Sequence, residues 1–119
     1  MTKRKIDRIF KRVVWEMEHN KLFLDSSISL ESVSRIVSEN RTAVSEALGS
    51  NGISFRTLVN QYRTQYAIDQ LLRSDHQSLQ LEEIAEMSGF ASVRKMNSFI
   101  KQSSGVTAGA LRERVFGKN

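Results

Sequence analysis

One helical pattern occurs twice in this chain, and that repetition limits the fold more than any other feature. Leu30-Glu31-Ser32-Val33-Ser34-Arg35-Ile36 and Leu81-Glu82-Glu83-Ile84-Ala85-Glu86-Met87 each open a short helix with a small residue, Ser34 or Ala85, in its middle. A second apolar triad and a glycine follow: Val44, Ala47, Leu48 and Gly52 in the first copy, Met96, Phe99, Ile100 and Gly105 in the second. The spacing agrees except for one extra residue between the helices of the second copy and another before its glycine. Two such copies read as two helix-turn-helix units, a motif whose second helix enters the major groove of DNA.

The 119 residues suit one ordinary domain, or two very small ones sharing a helix. No apolar run approaches the roughly 18 residues of a membrane span. Lys3, Arg4 and Lys5 do not begin a signal peptide, because Asp7, Arg8, Lys11 and Arg12 interrupt the segment after them. The absence of cysteine removes disulfides, thiolate metal sites and a cysteine nucleophile, and fits a reducing, cytoplasmic setting. A net charge of +5 favours a polyanionic partner. Six basic residues against Asp7 lie in residues 1–12, and six against Glu113 in residues 90–119; residues 30–52 hold two arginines against three glutamates. The second repeat is therefore expected to hold phosphate more strongly than the first.

The hydrophobic period sets the organisation. Ile6, Ile9, Phe10, Val13, Val14 and Met17 predict an amphipathic helix over residues 3–20. Trp15 falls opposite that stripe, among Arg4, Arg8, Lys11 and Arg12: it is a contact for another domain, a second subunit or DNA, or else its ring packs on a loop where the helix ends. Ser29 is a candidate N-cap for a helix reaching about residue 37, residues 38–41 are a turn, and residues 42–50 a second helix. Ser54 caps a long helix reaching about residue 73. Its first half shows Phe55, Leu58, Val59, Tyr62 and Tyr66 on one face, its second Ala67, Ile68, Leu71 and Leu72 on roughly the opposite one. The expected fold is all-α: residues 1–24 form an N-terminal amphipathic helix and lead-in, 25–53 a first helix-turn-helix unit, 54–74 a long connecting helix, and 75–119 a second unit with a C-terminal helix. About 20 helical residues span roughly 30 Å, close to the roughly 34 Å between successive major-groove faces of B-DNA.

Ile53-Ser54-Phe55, Asn60-Gln61-Tyr62-Arg63, Ala67, Leu71-Leu72, Glu83-Ile84-Ala85, Gly89-Phe90, Asn97, Lys101, Gly105-Val106-Thr107 and Arg112 carry a family likeness. In order and spacing they resemble the DNA-binding domain of the AraC/XylS family of bacterial transcription regulators, over about residues 28–114. Lys21-Leu22-Phe23-Leu24-Asp25 is similar to the lead-in of members whose DNA-binding domain ends a longer sensor protein. The family's usual proline, aromatic and Phe-Phe pair are here Ala108, Leu111, and Met96 with Ile100, all apolar or helix-compatible. The likeness implies that Arg63, in the connecting helix, ties the two units together.

Base reading needs side chains that match base-edge donors and acceptors on a helix anchored by its other face. With Met96, Phe99 and Ile100 inward, Arg94, Asn97, Ser98 and Lys101 point outward. Arg94 is the prime base contact, since guanidinium binds guanine O6 and N7 bidentately. Asn97 and Ser98 join it, and Val93 touches a thymine methyl from the flank. Lys95, Lys101 and Ser92 are read as phosphate ligands, which position without specifying; Arg112 reaches a phosphate or caps a carbonyl. In the first repeat Thr42, Ser45 and Glu46 are the base-facing candidates beside Gly49, with Arg41 on phosphate.

His19 and His76 lie far apart without a ligand set, and the serines lack a glycine-framed elbow with His and Asp, so no metal, cofactor, small-molecule site or enzymatic chemistry is expected. The expected function is sequence-specific binding of double-stranded DNA by a bacterial transcription regulator, its recognition helices entering two successive major grooves. RNA polymerase or an upstream sensor domain is a further partner. The competing reading is a helical protein-interaction module whose Trp15 and basic face dock an acidic partner.

Overall fold

The computed structural model describes residues 1–117. Among them every regular element is helical: α1 (Lys3–Asn20), α2 (Leu30–Ile36), α3 (Arg41–Ser50), α4 (Phe55–Leu71), α5 (Leu81–Met87), α6 (Val93–Ser104) and α7 (Ala108–Phe116), with 3-10 turns at Leu22–Leu24 and Ser74–His76. The chain forms two compact units, Met1–Val59 and Asn60 to the C-terminal end, so the division falls inside α4.

In the first unit the Thr2 hydroxyl accepts from the Lys5 N–H, α1 starts there, and it ends at Lys21 in the left-handed region. One face of α1, carrying Ile9, Val13 and Met17, is buried, and α1 packs against α3. Val33, Val37, Val44, Ala47, Leu48, Leu58 and Val59 are also buried in this unit. Glu16 is buried too, its carboxylate accepting from Arg12 Nε at 3.3 Å and Asn20 Nδ2 at 2.6 Å, which satisfies a charge that would otherwise be costly to desolvate. Ser29 caps α2 reciprocally with Ser32, as its position predicts. Trp15 is 47 % exposed, as the helical wheel requires. Its ring stacks on His19, one turn further along α1, with centroids 4.5 Å apart.

The second core contains Ala67, Leu71, Ile84, Ala85, Phe90, Met96, Ile100 and Ala108, flanked by half-buried Ile68, Leu79, Val93, Phe99 and Leu111. The C-terminal half of α4 thus contributes its predicted apolar face here, with one correction. Leu72, the first residue past the end of α4 at Leu71, is 37 % exposed rather than part of that face. Beyond it Arg73 grips Asp75 through a two-pronged bond, Nε to Oδ1 at 3.0 Å and Nη2 to Oδ2 at 2.8 Å. That hydrogen bond holds the Asp75 carboxyl at about 2.

The repeat is visible bond by bond. The Glu39 N–H donates to the Ser34 carbonyl at 2.9 Å, and the Phe90 N–H to the Ala85 carbonyl at the same distance. In each turn the residue just before that donor has positive φ, Ser38 at 59° and Gly89 at 86°. Ser34 and Ala85, the small mid-helix residues, are both buried, 3 % and 2 % exposed, where a larger side chain would force the helices of each unit apart. Ser34 hides its hydroxyl by donating to the Leu30 carbonyl.

Candidate nucleic-acid interface

In the second unit α6 begins where the Ser92 hydroxyl accepts from the Lys95 N–H at 3.1 Å. Met96 and Ile100 are fully buried, and Phe99, half-buried, stacks on Phe90 with centroids 6.0 Å apart. This anchoring turns Arg94, Lys95, Ser98 and Lys101 to the exterior. Arg94, Ser98 and Lys101 follow i, i+4, i+7 spacing and so share one stripe. Gln102, unread in the sequence, is exposed and extends that stripe at i+8. Arg94, Lys95 and Lys101 enter no ion pair among the described residues. No carboxylate among the described residues offsets their charge.

Three of the expected ligands also have contacts within the protein. Asn97 is half-buried, and its Oδ1 accepts from the Ala108 N–H at 2.9 Å, capping the start of α7. Through that bond it braces α6 against α7. Arg112 donates to the carbonyls of Leu79 at 2.6 Å and His76 at 3.4 Å, and its Nε is buried. Arg112 thus caps carbonyls of the loop before α5, one of the two roles its position allows. Val93 is half-buried against the second core and offers the exterior only part of its side chain.

In the first unit Asn40 Oδ1 accepts from the Ala43 N–H at 2.8 Å and starts α3 one residue earlier than the sequence suggests. Ala43, Val44, Ala47 and Leu48 are buried, and Arg41, Thr42, Ser45, Glu46 and Gly49 are exposed. The outward set is as expected from the spacing. A cleft of about 970 Å³ runs between α2 and α3, and its charged lining is Glu31, Arg35, Glu39, Arg41 and Glu46. Glu31 pairs with Arg35 at 3.5 Å and Glu39 with Lys5 at 3.8 Å, whereas Arg41 and Glu46 enter no ion pair among the described residues. Lys5 was not a sequence candidate. With Thr2 it lines a depression that also includes Asn40, Thr42 and Glu46, which places the basic start of α1 beside the start of α3.

Each unit thus has a capped second helix with an inward apolar triad and an exposed outer stripe. Among the described residues no helix is long and apolar enough to cross a membrane, and no three His, Asp or Glu side chains are grouped to hold a metal.

The family model described as a helix-turn-helix domain matches residues 33–114. No curated protein matches the chain significantly. Among solved structures, the chain is similar to the C-terminal domain of AraT, a response regulator from Geobacillus stearothermophilus, with 25 % identity, a TM-score of 0.72, and coverage of 92 % of this chain and 84 % of that one. It is also similar to the C-terminal domain of the two-component response regulator YesN from Fusobacterium nucleatum, with 25 % identity, a TM-score of 0.70, and coverage of 90 % and 96 %. A DNA-binding transcriptional dual regulator from Escherichia coli K-12 shares the fold, with 17 % identity, a TM-score of 0.76, and coverage of 89 % and 96 %.

Proposed function

This chain belongs to the AraC/XylS family of helix-turn-helix DNA-binding transcription regulators, and from that premise we propose that it reads a specific duplex with α6 as the main reading helix and α3 as the second. The observation that carries this reading is the exposed Arg94, Ser98, Lys101 stripe, cationic, without an ion pair among the described residues, and set on a helix whose opposite face is locked into the second core. Arg94 reads guanine, Ser98 and the edge of Val93 flank it, and Lys95, Lys101 and the Ser92 hydroxyl hold phosphate. In the first unit Thr42, Ser45 and Glu46 face the bases while Arg41 takes phosphate. Entry into two successive major grooves is supported by α4, an uninterrupted helix of 17 residues that serves both units. The likeness to response-regulator C-terminal domains supports a sensor domain as the partner that governs binding.

Salt dependence tests the proposal. Phosphate contacts from Arg41, Lys95 and Lys101 predict that log K falls with log salt at a slope of roughly −2.7, and a selected duplex should compete about a thousandfold better than a scrambled one. A flat salt response, or equal competition by every duplex, would contradict it.

A further inference from the structure

We infer that the outward face of α1 docks on the outward face of α5 of a second copy of this chain. Such a contact is independent of DNA binding and of the residues assigned to it.

Arg4, Arg8, Lys11, Arg12, Trp15 and His19 are all exposed, and at about 100° per residue they fall within one narrow arc of α1. The arc lies opposite Ile9, Val13 and Met17, the buried side on which α1 packs, so the stripe points away from α3. Arg4, Arg8 and Lys11 enter no ion pair among the described residues, while Arg12 leans on Glu16. Trp15 has one ring face against His19, and the indole is nearly half exposed. Phosphate binding needs cations but has no use for an exposed indole. Tryptophan set among arginines is instead the composition of a protein-contact hot spot.

The complementary surface is on α5. Glu82, Glu83 and Glu86 are exposed and share one face of that helix. Glu82 and Glu86 enter no ion pair among the described residues, and Glu83 gives one oxygen to the Gln80 N–H. Beside them half-buried Leu79 and Met87, with Glu83 and Glu86, line a shallow depression of about 370 Å³. An apolar floor with an acidic rim suits an indole flanked by cations, and the Met87 sulfur adds a favourable contact with an aromatic ring. With Trp15 in that depression, Lys11 and Arg12 lie one helical turn back and Arg8 two turns back, along the carboxylates. Pairing α1 with α1 would oppose cations, and α5 with α5 would oppose carboxylates. Only the pairing of α1 with α5 matches charge across the contact. One helix face against one short helix buries less than the roughly 800 Å² per partner of a standard interface, so the association is weak and transient in solution.

Sedimentation equilibrium with two charge-reversed chains tests this. Wild-type protein at about 0.5 mM and low salt should show an average mass above that of the monomer, falling back as salt rises. Arg8→Glu with Lys11→Glu, and separately Glu82→Arg with Glu86→Arg, should each be monomeric. Mixing the two variants should restore association, although both keep a net positive charge and repel in general. Emission of Trp15, the sole tryptophan, should shift to the blue with wild-type concentration. Circular dichroism confirms that the variants fold, since every substituted side chain is exposed. Wild type that stays monomeric, variants that associate unchanged, or a mixture that remains monomeric would each overturn the inference. So would a Trp15 shift produced by added duplex or by an acidic peptide but not by concentration.

Discussion

The two helix-turn-helix units share one backbone plan and differ at its outer surface. Aligned on their reading helices, Thr42, Ser45, Glu46 and Gly49 of α3 stand where α6 has Arg94, Asn97, Ser98 and Lys101. The inner positions are alike, Val44, Ala47 and Leu48 against Met96, Phe99 and Ile100, because both must fill a core. Of the outer positions only Asn97, whose Oδ1 caps α7, is under a comparable constraint. One helix there carries a carboxylate and no cation, the other an arginine and a lysine. A fold needs only inner residues to repeat, so a duplicated scaffold can assign strong reading to one copy and weak contact to the other.

The largest expected difference is in duplex affinity. Arg94→Ala should weaken binding to the selected duplex by about 1 to 3 kcal/mol, whereas Thr42→Ala at the equivalent place should cost under about 0.5 kcal/mol. Competition binding against a scrambled duplex measures both, and equal losses would erase the asymmetry. Next is Arg112→Ala. Removing its bonds to Leu79 and His76 should destabilise the second unit by about 2 kcal/mol in thermal unfolding while leaving the salt slope of DNA binding unchanged. A slope lowered by about one would return Arg112 to the phosphate.

The turns offer a smaller contrast, because each unit solves one of two problems. Position 88 is a buried serine whose hydroxyl has no partner, where the first unit has Val37; position 38 is a left-handed serine where the second unit has Gly89. Ser88→Ala should stabilise by about 1 kcal/mol by removing an unsatisfied polar group. Ser38→Gly should stabilise by about 0.5 kcal/mol, the relief of left-handed strain being partly offset by the flexibility of glycine in the unfolded chain. Denaturant melts check both. The brace at Asn97 has a similar size: Asn97→Ala should lower stability by about 1 kcal/mol with base preference intact, while Ser45→Ala leaves stability alone. The smallest effect is expected from Glu46→Ala, a rise of about twofold to fivefold in affinity for unrelated duplexes at low salt. Loss of specific binding on that substitution would make Glu46 a base reader.

The fold was open to sequence reading because its determinants are local. The α1 stripe gives residues 3–20, Ser29 caps α2, and the small residues at 34 and 85 sit at the helix crossings where a repeat with that spacing requires them. Exposure of Trp15 follows from the same periodicity. The site was legible only as far as periodicity goes, since it says which way a side chain points and not what lies over it. Asn97 points outward on the wheel, but α7 returns to place the Ala108 N–H above it. Arg112 is held by carbonyls more than thirty residues earlier in the chain. Lys5 meets Glu39 because the start of α1 lies beside that of α3, a matter of tertiary packing that α1's own pattern does not contain.

We propose that both units engage one duplex and that α6 supplies most of the discrimination. Selection of duplexes from a random pool, followed by hydroxyl-radical footprinting of the winner, tests it most directly. The expected result is two protected stretches on one face, about one helical turn or 34 Å apart, with strongly fixed bases under the second unit and tolerant ones under the first. Equal constraint in both stretches, a single protected stretch, or no enrichment of any sequence would contradict it.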